Sequence, residues 1–283
     1  MSHLFILPFD HRHSFTRDIL GISDDISEEQ REEVKELKKI IYQGFLSVWE
    51  VSAYKEELGI LVDTTFGSDI LHDAKSKIII TAVPIEKSGR AIFEPEIENW
   101  QEQVVALDPT YVKVLVRYNP ANTEENKKQL EALKKVSVWC VEQKRKLLFE
   151  LLVPPSESQK NNASYDAKVR PLLTKQAIEE ISTCVHADIW KLEGMEQDAW
   201  EAVLSVVAED AKVIVLGRGE DTTKVEGWIQ KAKTSEKIIG FAIGRTIFYE
   251  AIVAYHAKKI SKEQCSTVIA EKLTHFIALW KSI

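Results

Sequence analysis

Short apolar runs rich in valine and isoleucine recur along the chain, and amphipathic segments of helical period separate them. Runs of this length between polar segments are typical of buried β-strands. The pattern predicts eight strands, over residues 4–9, 59–63, 77–83, 111–117, 146–152, 187–192, 212–216 and 237–243. The charged segments between the runs predict helices, among them 27–58, 124–144 and 167–183.

Eight strands alternating with helices in 283 residues predict a (β/α)8 TIM barrel, an α/β fold that forms a single domain over residues 1–283. A doubly wound open sheet is the alternative, but it usually carries a G-x-G-x-x-G turn after its first strand. Here the first strand ends in Pro-Phe-Asp-His-Arg, so the barrel is favoured. The polar stretch 154–164 is interpreted as one long loop of the same domain.

Composition narrows the classes of partner. The chain has 44 Asp and Glu against 37 Lys and Arg, a formal net charge of -7, which argues against binding to nucleic acid or to an anionic membrane. The three cysteines lie far apart without C-x-x-C spacing, which argues against a disulfide framework or a thiolate zinc site. The N-terminus lacks the pattern of a signal peptide, and no apolar run approaches the roughly 20 residues that span a bilayer. We expect a cytoplasmic protein.

A lysine in the sixth predicted strand is the most informative polar residue. Because side chains alternate along a strand, Lys191 and Glu193 share one face, and catalytic groups of barrel enzymes lie at the C-terminal ends of strands. One interpretation is an ion pair between these two residues at the rim. The other is an amine that attacks a carbonyl to form a Schiff base, which requires a neutral amine near pH 7.

Two neighbouring strands carry further charges. Lys113 lies on the fourth predicted strand, where it is either a solvated strand-end lysine or a second cation beside Lys191. Glu150 lies between Phe149 and Leu151 on the fifth, where a carboxylate must pair with a cation or carry out a function. Both roles are compatible, since a proton shuttle beside a Schiff-base lysine also stabilises that lysine.

Glycines and arginines follow the last two predicted strands. Gly217, Arg218 and Gly219 follow the seventh, and Gly244 and Arg245 follow the eighth at the start of a helix. Barrel enzymes often bind phosphate at these loops, where helix N-termini favour anions. A tight turn with a surface arginine is the alternative interpretation.

The histidines give little support to a metal site. His11 and His13 have no partner histidine at another strand end, so a zinc site is disfavoured. A divalent cation held by Asp10 and Asp63 is left open.

Taken in order, the polar strand ends resemble class I aldolases of the tagatose-1,6-bisphosphate aldolase type. They are most similar to the aldolase-like domain fused to 5-dehydro-2-deoxygluconokinase in bacterial inositol catabolism. Seven motifs carry the resemblance over nearly the whole chain: F-D-H-R at 9–12 (F-D-Q-R in the family), I-L-V-D-T-T-F-G at 60–67 (I-L-V-D-P-x-Y-G), E-K-S-G at 86–89 (E-K-T-G), V-K-V-L at 112–115 (V-K-F-L), F-E-L-L at 149–152 (L-E-I-L), W-K-L-E at 190–193 (L-K-V-E) and G-F-A-I-G-R at 240–245 (G-V-L-x-G-R).

The resemblance implies a role for each motif. Lys191 would form the Schiff base and Glu150 would transfer protons, while Lys113 would orient the substrate and lower the proton affinity of the Lys191 amine. Arg245 would bind phosphate together with Gly217, Arg218, Gly219 and Gly244. Six further polar strand-end residues are expected to bind substrate, namely Asp10, Arg12, Asp63, Lys87, Arg117 and Glu193. Neither an organic cofactor nor a metal is expected.

One departure bears on the substrate. Gly217-Arg218-Gly219 stands where the tagatose enzymes have Ser-Ala-Gly, which disfavours tagatose 1,6-bisphosphate. The inositol-linked relatives imply cleavage of 2-deoxy-5-keto-gluconate 6-phosphate to dihydroxyacetone phosphate and malonate semialdehyde, and the arginines suit an acidic substrate. The alternatives are another ketose phosphate and a non-catalytic sugar-phosphate-binding barrel that accompanies a kinase. A homo-oligomer is possible. The amphipathic segment 261–280 is expected to pack on the barrel or to form a subunit interface.

Overall fold

A computed structural model of the protein describes residues 3–22, 26–233 and 235–282. Eight parallel strands form a closed barrel in chain order, and β1 pairs with β8 to complete the ring. The strands are β1 Leu4–Pro8, β2 Leu58–Leu61, β3 Ile80–Pro84, β4 Tyr111–Arg117, β5 Lys146–Leu152, β6 Ile189–Glu193, β7 Lys212–Leu216 and β8 Ile238–Ala242. The prediction of a (β/α)8 TIM barrel is confirmed, and the closed ring excludes the open sheet.

Helices follow the strands around the outside of the barrel. They are α1 His13–Phe15, α2 Glu28–Val51, α3 Thr64–Ser76, α4 Trp100–Leu107, α5 Thr123–Glu142, α6 Arg170–Ser182, α7 Gln197–Leu204, α8 Thr222–Ala232, α9 Arg245–His256 and α10 Lys262–Ser282. Shorter helical turns cover Thr16–Leu20, Lys55–Glu57, Glu157–Gln159 and Tyr165–Val169.

The boundaries differ from the predicted ones where backbone groups cap a helix. The strand predicted to begin at residue 77 begins at Ile80, because Lys77 N–H donates to the carbonyls of Asp73 and Ala74 and so closes α3. The helix predicted over 27–58 ends at Val51. Its start is as expected, since Ser27 and Gln30 form a reciprocal capping box.

The barrel interior changes from apolar to charged along the strands. Near their beginnings, the interior cluster contains Tyr111, Leu148 and Ile189. Two residues further along the same three strands, on the same face, lie Lys113, Glu150 and Lys191. The intervening side chains, such as Trp190, point outward and pack under the helices. The charged end is the C-terminal face, where barrel enzymes carry their active sites.

The C-terminal helix α10 packs against the outer helices of the barrel, as expected from the first of the two interpretations of segment 261–280. Its buried face includes Leu273, Phe276 and Trp280. It lies so close to α2 that a Cβ at Gly44 would sit 2.8 Å from Ile269 Cγ2. None of the helices described is long and apolar enough to cross a membrane.

Candidate active site

Lys191 and Glu150 lie side by side on neighbouring strands of the barrel. They are register partners on β6 and β5, so their side chains leave the sheet at the same height and on the same face. Lys191 Nζ lies 2.9 Å from Glu150 Oε1. Both side chains are buried, at 5% and 8% exposure, so the ion pair is largely shielded from water. The predicted neighbour of Lys191 on its own strand, Glu193, pairs elsewhere.

Lys113 lies among three carboxylates. Its Nζ is 3.0 Å from Asp10 Oδ2, 2.5 Å from Glu86 Oε1 and 3.0 Å from Glu150 Oε2. At 1% side-chain exposure, it is not the solvated strand-end lysine of the alternative interpretation. Glu150 therefore bridges Lys113 and Lys191 through its two oxygens. Asp10 and Glu86 complete a buried cluster of five charged residues, with Lys113 at its centre.

The cluster shifts the pKa values of its members in different directions. Burial alone would raise the pKa of Glu150, but the charges of Lys113 and Lys191 hold it below its usual range. Burial likewise opposes ionisation of Asp10, yet Lys113, His11 and Lys191 lower its pKa. For Glu86 burial prevails and the pKa rises. Burial disfavours the charged form of Lys113, but the surrounding carboxylates raise its pKa and keep it protonated. Glu150 is thus held as a carboxylate at neutral pH.

Two cavities meet at this cluster. The first has a volume of about 530 Å³ and the second about 410 Å³. They share six lining residues: His11, Ser14, Leu115, Arg117, Glu150 and Lys191. The cavities are therefore two lobes of one depression in the C-terminal face, with the Lys191 amine where the lobes join.

The first lobe has a basic mouth. Lys87 and Arg117 are exposed there, and Arg117 donates to the carbonyl of Arg90. Arg12 also lines this lobe, but its guanidinium bonds to the Glu86 carbonyl at 2.8 Å and to the Glu96 carboxylate at 3.0 Å. Arg12 is thus largely occupied by protein partners, whereas Lys87 and Arg117 remain accessible at the mouth.

The second lobe brings together the predicted phosphate-binding residues. Gly217, Arg218, Gly219, Gly244 and Arg245 all line it. Gly244 precedes α9, whose first N–H groups have no partner within the helix. Gly219 has φ +75°, and a Cβ there would lie 2.6 Å from the Arg245 guanidinium. The loop thus requires glycine both for its backbone conformation and for the approach of Arg245.

Half-buried Arg218 forms an ion pair with buried Glu193 beside this lobe. Arg218 Nε lies 3.2 Å from Glu193 Oε1, and Arg218 Nη1 donates to Asp166 Oδ1 at 3.0 Å. Glu193 also accepts the N–H of Val153 at 3.0 Å. Burial raises the pKa of Glu193 despite the neighbouring arginines. Both residues line the lobe, but each already has protein partners.

Asp63 is not brought to the cavity. Its side chain is fully buried, forms an ion pair with Lys38 of α2, and accepts the Phe66 N–H at 2.9 Å as the N-cap of α3. Because those contacts occupy both carboxylate oxygens, Asp63 serves the fold rather than the lining of either lobe. Asp10 and Asp63 are held by different lysines, and the described ranges contain no group of three or more His, Cys, Asp or Glu placed to hold a metal.

Two residues of the site were not among the predicted site residues. Glu86 begins the E-K-S-G motif, and its contact with Lys113 joins β4 to the loop after β3. His11 lines both lobes, and its ring Nδ1 has no hydrogen-bond partner within the described part of the chain. The position of His11 directly after Asp10 at the first strand end was the available sequence signal.

Solved structures of other proteins share this fold at low sequence identity. The Cgl0159 protein of Corynebacterium glutamicum aligns with a TM-score of 0.59 and 16% identity, over 96% of this chain and 86% of that one. An archaeal fructose-1,6-bisphosphate aldolase, with its catalytic lysine bound to the carbinolamine intermediate, gives 0.57 and 13%, over 96% and 94%. The fructose-bisphosphate aldolase of Slackia heliotrinireducens gives 0.59 and 13%, over 95% and 86%. At such identities the likeness concerns the fold.

Sequence comparison adds one family. No curated protein matches the chain. The family described as "Uncharacterized protein conserved in bacteria (DUF2090)" matches residues 1–283. Since the match covers the whole sequence, the chain belongs to the DUF2090 family.

Proposed function

We propose that the protein is a class I aldolase that cleaves a phosphorylated keto sugar or keto sugar acid through a Schiff base on Lys191. The observation that carries the proposal is the buried contact between the Lys191 amine and Glu150, at the junction of two lobes lined by cations. A structural ion pair alone has no need of an accessible cavity around its amine. The archaeal aldolase of the same fold, with its lysine bound to a carbinolamine, supports the same chemistry here.

The first half of the reaction forms the iminium. Glu150 accepts a proton from Lys191, and the neutral amine adds to the substrate ketone to give a carbinolamine. Glu150 then returns the proton to the carbinolamine hydroxyl, which leaves as water as the C=N bond forms. The 2.9 Å contact between the two groups allows this exchange without movement of either strand.

The second half breaks the C–C bond. The Glu150 carboxylate accepts the proton of the hydroxyl on the far carbon, which becomes the aldehyde, while the electron pair of the broken C–C bond moves to the iminium and gives an enamine. Glu150 then donates that proton to the enamine carbon, and water hydrolyses the resulting iminium to release the ketone and free Lys191. Lys113 is a positioning residue in this scheme, since it fixes Glu150 through its second oxygen.

Charge around the depression suits a substrate that is anionic at both ends. We place the phosphate in the second lobe, near Arg245 and the start of α9. We place a second anionic group in the first lobe, at Lys87 and Arg117. Arg12 and Arg218 support these surfaces through their contacts with protein carboxylates.

As the specific substrate we propose 2-deoxy-5-keto-gluconate 6-phosphate, cleaved to dihydroxyacetone phosphate and malonate semialdehyde. The support for it is the sequence resemblance to inositol-linked aldolases, together with cations at both ends of the cavity. Another ketose phosphate, such as tagatose 1,6-bisphosphate, would use the same lysine.

The assembly of the chain into a homo-oligomer stays a prediction.

Cleavage assays test the proposal. Wild-type protein should release dihydroxyacetone phosphate from the keto acid phosphate, detected with a coupled dehydrogenase, and Lys191→Met should not. Lys146→Met is a matched control, because Lys146 is exposed at the opposite end of the barrel. If the protein cleaves tagatose 1,6-bisphosphate faster than the keto acid phosphate, tagatose 1,6-bisphosphate replaces the latter as the proposed substrate. Saturable binding of sugar phosphates with no turnover by wild type would favour the non-catalytic barrel.

A further inference from the structure

One ring nitrogen of His11, Nδ1, is left unpaired in the described ranges of the chain. Nδ1 is buried, and no described residue provides a hydrogen-bond partner for it. Buried polar atoms are normally paired, because leaving one unpaired costs free energy. The ring packs edge-on against Phe248, with 6.2 Å between centroids, so apolar contact holds it on one side. His11 itself lines both lobes of the depression, so the residue forms part of the cavity wall.

The main chain of His11 is held in place by a lysine of helix α2. Lys38 Nζ donates to the His11 carbonyl at 2.9 Å and also pairs with Asp63. Lys38 is fully buried, and its ammonium lies 5.5 Å from the ring centroid of Phe15 and 5.3 Å from that of Phe66. This arrangement holds the strand end in one position and presents the imidazole to the depression.

The imidazole is neutral under ordinary conditions. Burial lowers the pKa of His11 to about 4, with Arg245 and Lys191 adding to the effect and Asp10 opposing it. A neutral imidazole has one donor and one acceptor nitrogen. It can therefore form a hydrogen bond with a hydroxyl group without the desolvation cost of another buried cation.

The position of His11 indicates what it would contact. It lines both lobes and shares that wall with Lys191. Gly244 and Arg245, where we place the phosphate, line the second lobe with it. A ketone phosphate that reaches from the lysine to that lobe passes the imidazole.

We propose that His11 is a substrate-contacting residue whose neutral ring hydrogen-bonds a hydroxyl next to the carbon that Lys191 attacks. The inference rests on the proposed Schiff-base function and adds a residue to it. The matching chemistry is an α-hydroxy ketone phosphate, because a ketone that lacks the hydroxyl leaves the ring nitrogen unpaired.

Borohydride trapping at a series of dihydroxyacetone phosphate concentrations tests this. His11→Leu should raise the half-saturating concentration about tenfold, the equivalent of one net hydrogen bond. His11→Gln, whose amide can donate and accept, should recover most of the loss. His72→Leu is the control on another histidine, exposed on α3, and should behave as wild type. Hydroxyacetone phosphate, which lacks the free hydroxyl of dihydroxyacetone phosphate, should give similar half-saturating concentrations with wild type and His11→Leu.

The outcomes separate the two claims. Equal half-saturating concentrations for wild type and His11→Leu would overturn the role of His11 while leaving the Schiff base intact. No trapped adduct in the wild type would instead overturn the aldolase proposal. If His11→Leu fails to fold by circular dichroism, His11→Phe retains a ring against Phe248 and gives the same comparison.

Discussion

Glu150 and Lys191 are register partners on β5 and β6, with Oε1 and Nζ 2.9 Å apart, while the other oxygen of Glu150 lies 3.0 Å from Lys113 Nζ. Parallel pairing sets this relationship, because register partners on the same face of neighbouring strands extend into the barrel side by side. The backbone pairing of β5 and β6 thus determines which carboxylate lies beside the lysine, independently of the loops.

Replacing Glu150 tests proton transfer. Glu150→Gln keeps the shape of the side chain but cannot exchange protons, so kcat for aldol cleavage should fall about a hundredfold or more. Glu157→Gln, on an exposed turn, should leave kcat unchanged. Steady-state kinetics measure both. Wild-type kcat in Glu150→Gln would assign the proton transfers to another group.

Lys113 should be important for stability as well as for activity. Lys113→Met leaves Asp10, Glu86 and Glu150 buried without their shared cation, which should lower the free energy of unfolding by roughly 3–5 kcal/mol. Urea denaturation at pH 7 measures the loss, with the exposed Lys135→Met as control. Because protonation relieves unpaired carboxylates, the deficit of Lys113→Met should shrink toward low pH. A loss below about 1 kcal/mol, the range of exposed pairs, would contradict the buried cluster.

The lowered pKa of His11 in the folded protein should make the folded state less stable in acid. Burial lowers the folded pKa of His11 from 6.5 to about 4, so between these pH values the unfolded chain binds more protons and stability falls as the pH falls. His11→Gln removes this contribution. The free energy of unfolding of the variant should rise relative to that of wild type as the pH falls from 6.5 to 4, by a few kcal/mol at most. Denaturant titrations at several pH values measure the difference, and parallel curves would show that His11 has an ordinary pKa.

Gly219 should be intolerant of a side chain. Its φ of +75° disfavours other residues, and a Cβ would contact the Arg245 guanidinium. Gly219→Ala should therefore displace Arg245 and weaken binding of inorganic phosphate about tenfold or more, as measured by calorimetry. Gly227→Ala is the matched control, because a Cβ at that helical position meets nothing within 4 Å. Equal phosphate affinity in both variants would contradict the placement of the phosphate at this loop.

The strands and the central lysines were predictable because both follow from local alternation. Apolar runs located the eight strands to within a few residues, and charged residues near the ends of three of them made Lys113, Glu150 and Lys191 candidates. The barrel then brings these positions together whatever the loops do.

Pairings between distant segments were not predictable in the same way. Lys38 lies on an amphipathic helix 25 residues before Asp63, and no local pattern indicates that its ammonium turns inward to meet that carboxylate. The engagement of Arg12 with Glu96 also spans 84 residues. A strand-end charge can face the cavity or a neighbouring loop, and only the packed structure distinguishes the two.

The most direct measurement is borohydride reduction of the wild-type protein with dihydroxyacetone phosphate, followed by peptide mass mapping. We expect a reduced adduct on the peptide that contains Lys191, none on the peptide with Lys113, and no adduct in Lys191→Met. An adduct on a different lysine, or none on folded protein, would contradict the assignment of Lys191 as the Schiff-base residue.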